Sequence, residues 1–389
     1  MASLRRSHRG RQRAGVLLVL VIAVAAALVA TSHRTGGAPA APPASHSPAS
    51  HSPASRSPAA RPKKTAKHAR PAKSRTAKAA PARSRSAASA SQLSLVVEPD
   101  AGPGPVYALL RAARHSLDVE IYELEDDQAA AILAADARRG VRVRVLLDAN
   151  FVGRYNEPAC SYLRAHGVAV RWAPSQFDVT HEKAIVADDR LAAIMTMNLT
   201  ARYYASSREF IALDRNPADV AAVEATFADD WADGGLPPSS PADLVWSPGA
   251  QDALVALIAS ARHELLIENE EMSDPAVTAA LQAAAHRGVR VEVVMTRQSE
   301  WAGAFDALAR AGVAVATYDS SAPLYIHAKA IVVDPGRPQA RVFIGSQNFS
   351  VASLLYNREL GLITSRPAIV DRVAAIIRRD GAGATPWRP

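Results

Sequence analysis

YIHAKAIVVDPGRPQARVFIGSQNFSVASLLYNRE, residues 325–359, is the stretch that decides how this chain is read. His327 and Lys329 are separated by one residue, and Asp334 follows after four more. A second apolar run, Val342 to Ile344, leads into Gly345, Ser346 and Asn348, and Glu359 closes the stretch. If each run is a strand, side chains two apart share a face. His327 and Lys329 then point one way and Ser346 and Asn348 form a second pair, while Asp334 falls on the opposite face and reads as support.

An earlier copy exists. His181, Lys183 and Asp188 repeat the spacing of the first part, and Asn198 and Glu209 repeat that of the last. Arg208-Glu209 matches Arg358-Glu359, and RGVRV occurs at both 139–143 and 287–291. The offsets run from 146 to 150 positions, so one unit is written twice. Two incomplete halves make one site if they pack about a pseudo-twofold axis.

With both motifs in view, the chain resembles the phospholipase D superfamily, whose members carry two His-x-Lys-x4-Asp motifs, one per half. The resemblance covers about residues 93 to 380. It implies phosphodiester chemistry, with His181 as nucleophile and His327 as acid. The residues alone leave that order open, because the copies are chemically alike. One departure is Met195-Thr196 where the second copy has Gly345-Ser346. The expectation is that Met195 adds bulk where substrate approaches.

The constellation suits a two-step displacement at phosphorus. Histidine attacks when neutral and donates a proton when charged, and its ordinary pKa allows both near neutrality. Lys183 and Lys329 neutralise phosphate oxygens, and Asn198, Asn348, Ser346 and Thr196 donate hydrogen bonds beside Gly345. Glu209 and Glu359 are placed to orient the histidines, as an acid behind an imidazole does. Asp188 and Asp334 support the fold. The lysines supply the positive charge, so neither metal nor cofactor is expected. His115 and His263 also recur, after arginines at helix ends, where capping is the expected role. Glu120 and Glu268 recur as well, as cleft-lining or salt-bridged groups.

The fold class expected is α/β: two homologous halves with mainly parallel sheets, strands alternating with helices, at 93–236 and 243–381. Pro237 to Pro248 reads as the seam. Ahead of them, five arginines precede Gly15–Ala30, sixteen apolar or small residues, which reads as a signal peptide or N-terminal anchor over 1–32. Residues 33–92, rich in Ala, Pro, Ser, Lys and Arg, read as a disordered linker. Export is therefore expected.

Charge is split unevenly. Residues 1–92 hold 17 of the 45 Lys and Arg and none of the 37 acids. The remainder has 28 basic against 37 acidic residues, a net of −9, which disfavours a dedicated duplex-DNA binder. Phospholipid at a membrane surface is the expected substrate and partner; nucleic acid, as for a secreted nuclease, ranks second. A degenerate binding protein spoiled by Met195 ranks third. A monomer is expected. The single cysteine, Cys160, has no partner in the chain and reads as structural or incidental.

Overall fold

Both motif stretches end up at the meeting of two similar sheets in the computed structural model, which describes residues 92–389 apart from 236, 237, 239, 240 and 242. The expected signal or anchor segment and all but the last residue of the expected linker lie outside the described residues.

The first half contributes β1 (Leu93–Glu98), β2 (Ser116–Ile121), β3 (Leu124–Glu125), β4 (Arg142–Leu147) and β5 (Ala169–Trp172). It continues with β6 (Lys183–Ala187), β7 (Leu191–Met195), β8 (Leu199–Thr200) and β9 (Ser207–Asp214). Its helices are α1 (Gly104–Ala112), α2 (Asp127–Arg138), α3 (Gly153–Ala165) and α4 (Pro217–Trp231). The sheet runs β1-β9-β7-β6-β2-β4-β5.

The second half repeats this plan. Its strands are β10 (Leu244–Ser247), β11 (Glu264–Glu268), β12 (Arg290–Thr296), β13 (Ala314–Tyr318) and β14 (Tyr325–Ile326). Then come β15 (Ala330–Val333), β16 (Arg341–Gly345), β17 (Glu359–Thr364) and β18 (Thr385–Pro386). Helices α5 (Ala250–Ala259), α6 (Pro275–His286), α7 (Ala302–Arg310), α8 (Val351–Leu355) and α9 (Pro367–Gly383) complete it. The order is β10-β17-β16-β15-β11-β12-β13-β18.

The expectation of mainly parallel sheets needs correcting. Parallel pairing in the main run of each sheet is limited to β2-β4-β5 and β11-β12-β13, where helices cross over; the two-residue strands add β3 against β8 and, across the halves, β14 against β9. The pairs β2-β6, β6-β7, β7-β9 and β1-β9 are antiparallel, and their counterparts likewise. The cause is connection length. Three residues join β6 to β7, and a parallel return needs a dozen or more. The seam also holds structure: β10 forms at its end, as the edge strand beside β17.

The tight hairpin gives the motif aspartates their work. Asp188 and Asp334 sit at φ of 54° and 48°, a left-handed conformation that short polar side chains tolerate. Asp188 accepts the N–H groups of Arg114, His115 and Ser116 at 3.0, 2.7 and 3.0 Å. Asp334 does the same for Arg262, His263 and Glu264 at 3.0, 2.7 and 2.9 Å. Burial would raise both carboxyls; the three N–H groups outweigh it and hold them below the ordinary range. His115 and His263 recur for their place in these turns, two or more residues past the helices, and not as helix caps.

Three apolar clusters hold the unit. One lies under α1, α2 and α3 and takes in Cys160; another lies under α5, α6 and α7. The third draws on β6, β7 and β9 of the first half, β15, β16 and β17 of the second, and α4 and α9. That shared cluster fixes how the halves face one another, and so where the two motifs meet.

Candidate active site

Each half lends its histidine to a carboxylate of the other. His181 Nδ1 donates to Glu359 Oε2 at 3.0 Å, and His327 Nδ1 donates to Glu209 Oε1 at 2.6 Å. The exchange follows from backbone pairing across the halves. Tyr325 and Ile326 pair in parallel with Ser207 and Arg208, and Thr180 bridges Arg358 in the same sense. With Nδ1 tied to a carboxylate, Nε2 is left as the reactive nitrogen of each ring.

The orienting glutamates are themselves held. Ser353 Oγ and Asn357 Nδ2 donate to Glu359 Oε1 at 2.6 and 3.0 Å, and Thr196 Oγ1 donates to Glu209 Oε2. Burial lifts the Glu359 carboxyl to about 7, against the pull of Lys183.

The lysines are buried as well. Lys183 and Lys329 are almost wholly buried, and each Nζ donates to the carbonyl two residues back, His181 at 2.7 Å and His327 at 2.6 Å. That short reach curls each side chain back beside its own histidine. Burial, then Lys329, lowers Lys183 to about 7, with Glu359, Glu270 and Glu209 acting the other way. Burial first, then Lys183 and Lys329, lowers His181 well below the ordinary imidazole range. Groups of both halves thus act on one another in a single site, and His181 is left neutral, as a nucleophile must be.

Some expected members stand elsewhere. Thr196 and Ser346, expected against substrate, are fully buried one layer behind. Ser346 Oγ and Thr196 Oγ1 accept the N–H groups of Leu360 and Phe210, and Thr196 supports Glu209. Gly345 serves packing: a Cβ there would lie 2.5 Å from the Gly361 Cα and 2.8 Å from the Phe343 ring. Asn198 and Asn348 each keep a buried Oδ1 with no hydrogen bond among the described residues, and Asn348 Nδ2 donates to Glu271 at 2.9 Å. Glu120 and Glu268 are neither cleft-lining nor salt-bridged. Both are fully buried with no hydrogen bond to either oxygen among the described residues, and burial, joined by Asp380 at Glu268, raises both carboxyls well above the ordinary range.

Met195 does not narrow the approach to the site. It is buried in the first half's apolar cluster, paired with Ile211 across β7-β9. The second half has Gly345 opposite Gly361 at these places and fills the space with Phe343 and Gln347. The first half has Ala193 and Met197 there instead, so two arrangements fill equivalent volumes with opposite distributions of bulk. Met195→Gly is therefore expected to destabilise the fold by about 2–5 kcal/mol, the range for emptying a buried methionine site. The ratio of transfer to hydrolysis should not change. Denaturant unfolding and a product ratio together check this, and a changed ratio at unchanged stability would return Met195 to the substrate path.

Sequence reading missed two site members. Tyr122 packs edge-on to His181, centroids 4.6 Å apart, and its ring lies 4.8 Å from Lys183 Nζ. Glu270 Oε2 lies 3.0 Å from Lys329 Nζ and 3.4 Å from His327 Nε2. Both follow recurring glutamates, Glu120 and Glu268, by two positions, and that spacing was the available signal.

A pH dependence follows from Lys183. With its pKa depressed to about 7, it is neutral in the empty site above that pH, and an anion bound beside it favours the charged form. Orthovanadate should therefore bind with proton uptake at pH 8, and its affinity should fall as pH rises through 7. Calorimetry in buffers of different ionisation enthalpy reads this, and no uptake at pH 8 would mean a lysine already charged.

Comparison with known proteins agrees with this geometry. The family model described as cardiolipin synthase, PLD-like domain, matches twice, at residues 106–231 and 254–380. Cardiolipin synthase A of Pseudomonas entomophila (strain L48) is 28% identical over 341 residues, covering 75% of this chain and 68% of that protein. Its counterpart in Cronobacter sakazakii (strain ATCC BAA-894) is 26% identical, with 70% and 65% covered. Among solved structures, phosphatidylserine synthase of Haemophilus influenzae Rd KW20 superposes with a TM-score of 0.59 at 13% identity, covering 77% of this chain and 88% of that one. Polyphosphate kinase of Porphyromonas gingivalis reaches the same TM-score at 16% identity, although this chain spans only 46% of it. At those identities the two structures show the fold alone. Two motif copies, two family matches and one site shared between the halves lead to the same conclusion: the chain belongs to the phospholipase D superfamily.

Proposed function

We propose that the chain is a phosphodiesterase of phospholipase D type that transfers the phosphatidyl group of a phospholipid to an alcohol or to water. The observation that carries this is the reciprocal pairing His181–Glu359 and His327–Glu209 around two buried lysines. His181 Nε2 attacks phosphorus, the bond to the head-group oxygen breaks, and His327 protonates the departing alcohol. His327 then takes a proton from the acceptor, whose oxygen attacks phosphorus and releases His181. Lys183 and Lys329 balance the charge on the non-bridging oxygens, and Asn198 donates to them through its amide Nδ2.

The named relatives are cardiolipin synthases, which favours a phospholipid substrate. The net charge of −9 in 93–389 weighs the same way against nucleic acid. The Arg-rich start followed by the apolar run at 15–30 favours export, with the basic segment lying along an anionic membrane.

The test supplies phosphatidylglycerol, phosphatidylcholine with ethanol, and plasmid DNA in separate reactions. Cardiolipin from the first and phosphatidylethanol beside phosphatidic acid from the second are expected. Nicking of DNA with both lipids untouched would overturn the reading in favour of a nuclease.

A further inference from the structure

The two halves differ at one place that bears on chemistry. Tyr122 and Glu270 hold equivalent positions, each two residues past the recurring buried glutamate that ends or precedes the end of its strand, β2 or β11. Beside His181 the first half thus presents an aromatic ring packed edge-on, with no carboxylate to accept a proton from Nε2. Beside His327 the second half presents a carboxylate.

His327 therefore lies between two carboxylates. Glu209 takes Nδ1 at 2.6 Å, and Glu270 Oε2 faces Nε2 at 3.4 Å. An ionised carboxylate only accepts, so this arrangement is satisfied by a ring carrying hydrogen on both nitrogens, the imidazolium. Glu270 is fixed by Lys329 Nζ at 3.0 Å and by the Tyr325 hydroxyl, which donates at 2.9 Å. Burial would raise Glu270; His327 and Lys329 overcome it and hold the carboxyl well below the ordinary range, so it is ionised at neutral pH. At 3.4 Å the Nε2 proton is attracted without a full hydrogen bond, and an incoming oxygen can take it.

We propose that Glu270 is the positioning residue that makes His327, and not His181, the proton donor to the departing alcohol. This rests on the phosphatidyl-transfer reading and gives the two histidines different roles from this chain's own residues. In the step concerned, the bond between phosphorus and the head-group oxygen breaks and that oxygen takes the Nε2 proton. His327 is left neutral and the head group departs as an alcohol, its oxygen carrying the proton and no charge. Tyr122 could not serve His181 in that way, and burial, Lys183 and Lys329 together outweigh Glu270 and oppose a proton there.

The test compares two leaving groups on one phosphatidyl donor in the same mixed micelles. Choline needs a proton to depart as an alcohol; p-nitrophenolate departs without one. In the full chain, Glu270→Gln should lower choline release about tenfold or more, within the range general acids contribute. It should leave the initial burst of p-nitrophenolate near the wild-type rate. Glu270→Asp, which keeps the charge, should retain choline release above the Gln variant. An equal fall on both substrates, no fall, or faster choline release in Glu270→Gln would overturn the proposal. A wild-type chain that cleaves neither substrate would overturn the phosphatidyl-transfer reading itself and this role with it.

Discussion

His181→Ala and His327→Ala each reduce turnover of a phospholipid with an alkyl head group by about 10²–10⁴ or more, because each removes a whole chemical role. The two effects should not add. Once one histidine is gone the two-step route is closed, so the double variant falls no further than the worse single one, as expected of residues that act as a unit. The singles should differ in kind. Without His181 no covalent intermediate forms. Without His327 a substrate with a good leaving group still loads His181, and the loaded enzyme accumulates because no base activates the acceptor. Alkaline quench, which leaves the histidine–phosphorus bond intact, should therefore trap phosphorus label on His181 in His327→Ala and none in His181→Ala. Glu359 keeps Ser353 and Asn357, and Glu209 keeps Thr196, when their histidines are removed, so both variants should fold. Retention of more than about a tenth of wild-type turnover would remove that residue from the mechanism.

The duplication was legible because the chemistry forbids drift in the spacings that matter. The histidine, lysine and aspartate repeat at an offset of 146 and the asparagine and glutamate at 150. The extra four residues lie in one turn: three residues join β6 to β7, and seven join β15 to β16. Sequence also gave the glutamates their role behind the histidines. It did not give the exchange between halves, because pairing such as Tyr325 with Ser207 depends on how the shared apolar cluster docks two sheets. Met195 misled for a related reason. Its meaning lies in Phe343, Gly361, Ala193 and Ile211, whose complementary volumes appear only once the strands are paired. Glu270 stayed hidden because its partner in the other half is a tyrosine, and a search for repeats passes over the place where a repeat is broken.

The exchange has an energetic counterpart in the residue preceding each orienting glutamate. Arg358 Nη2 donates to Asp230 Oδ1 at 2.7 Å, and both side chains are almost wholly buried. Its guanidinium also lies 4.3 Å over the Phe177 ring. Arg208 reaches Asp380 through Nε at 2.5 Å and Nη2 at 3.1 Å. Each arginine thus crosses to the closing helix of the other half, α4 or α9, and fixes the strand that carries Glu359 or Glu209. Burial lifts Asp230 to about 6 in spite of the guanidinium, so the pair is formed at neutral pH. Removing one partner of such a pair strands a charge away from water. Asp230→Ala should therefore cost about 3–5 kcal/mol in denaturant unfolding, and turnover should fall with it as Glu359 loses its anchor. Replacing both partners by apolar residues, as in Asp230→Leu with Arg358→Met, should recover most of the stability, since no stranded charge remains. Activity should recover less, because the strand is then held by packing alone. Glu120 and Glu182 both lie within the field of Arg358, and burial keeps both carboxyls well above the ordinary range. A cost below about 1 kcal/mol for Asp230→Ala, outside the range for a broken buried pair, would mean that one of these glutamates ionises and takes over the guanidinium. The anchor would then be a cluster of carboxyls sharing one arginine, and either Glu120→Gln or Glu182→Gln in the Asp230→Ala background should bring the full loss back.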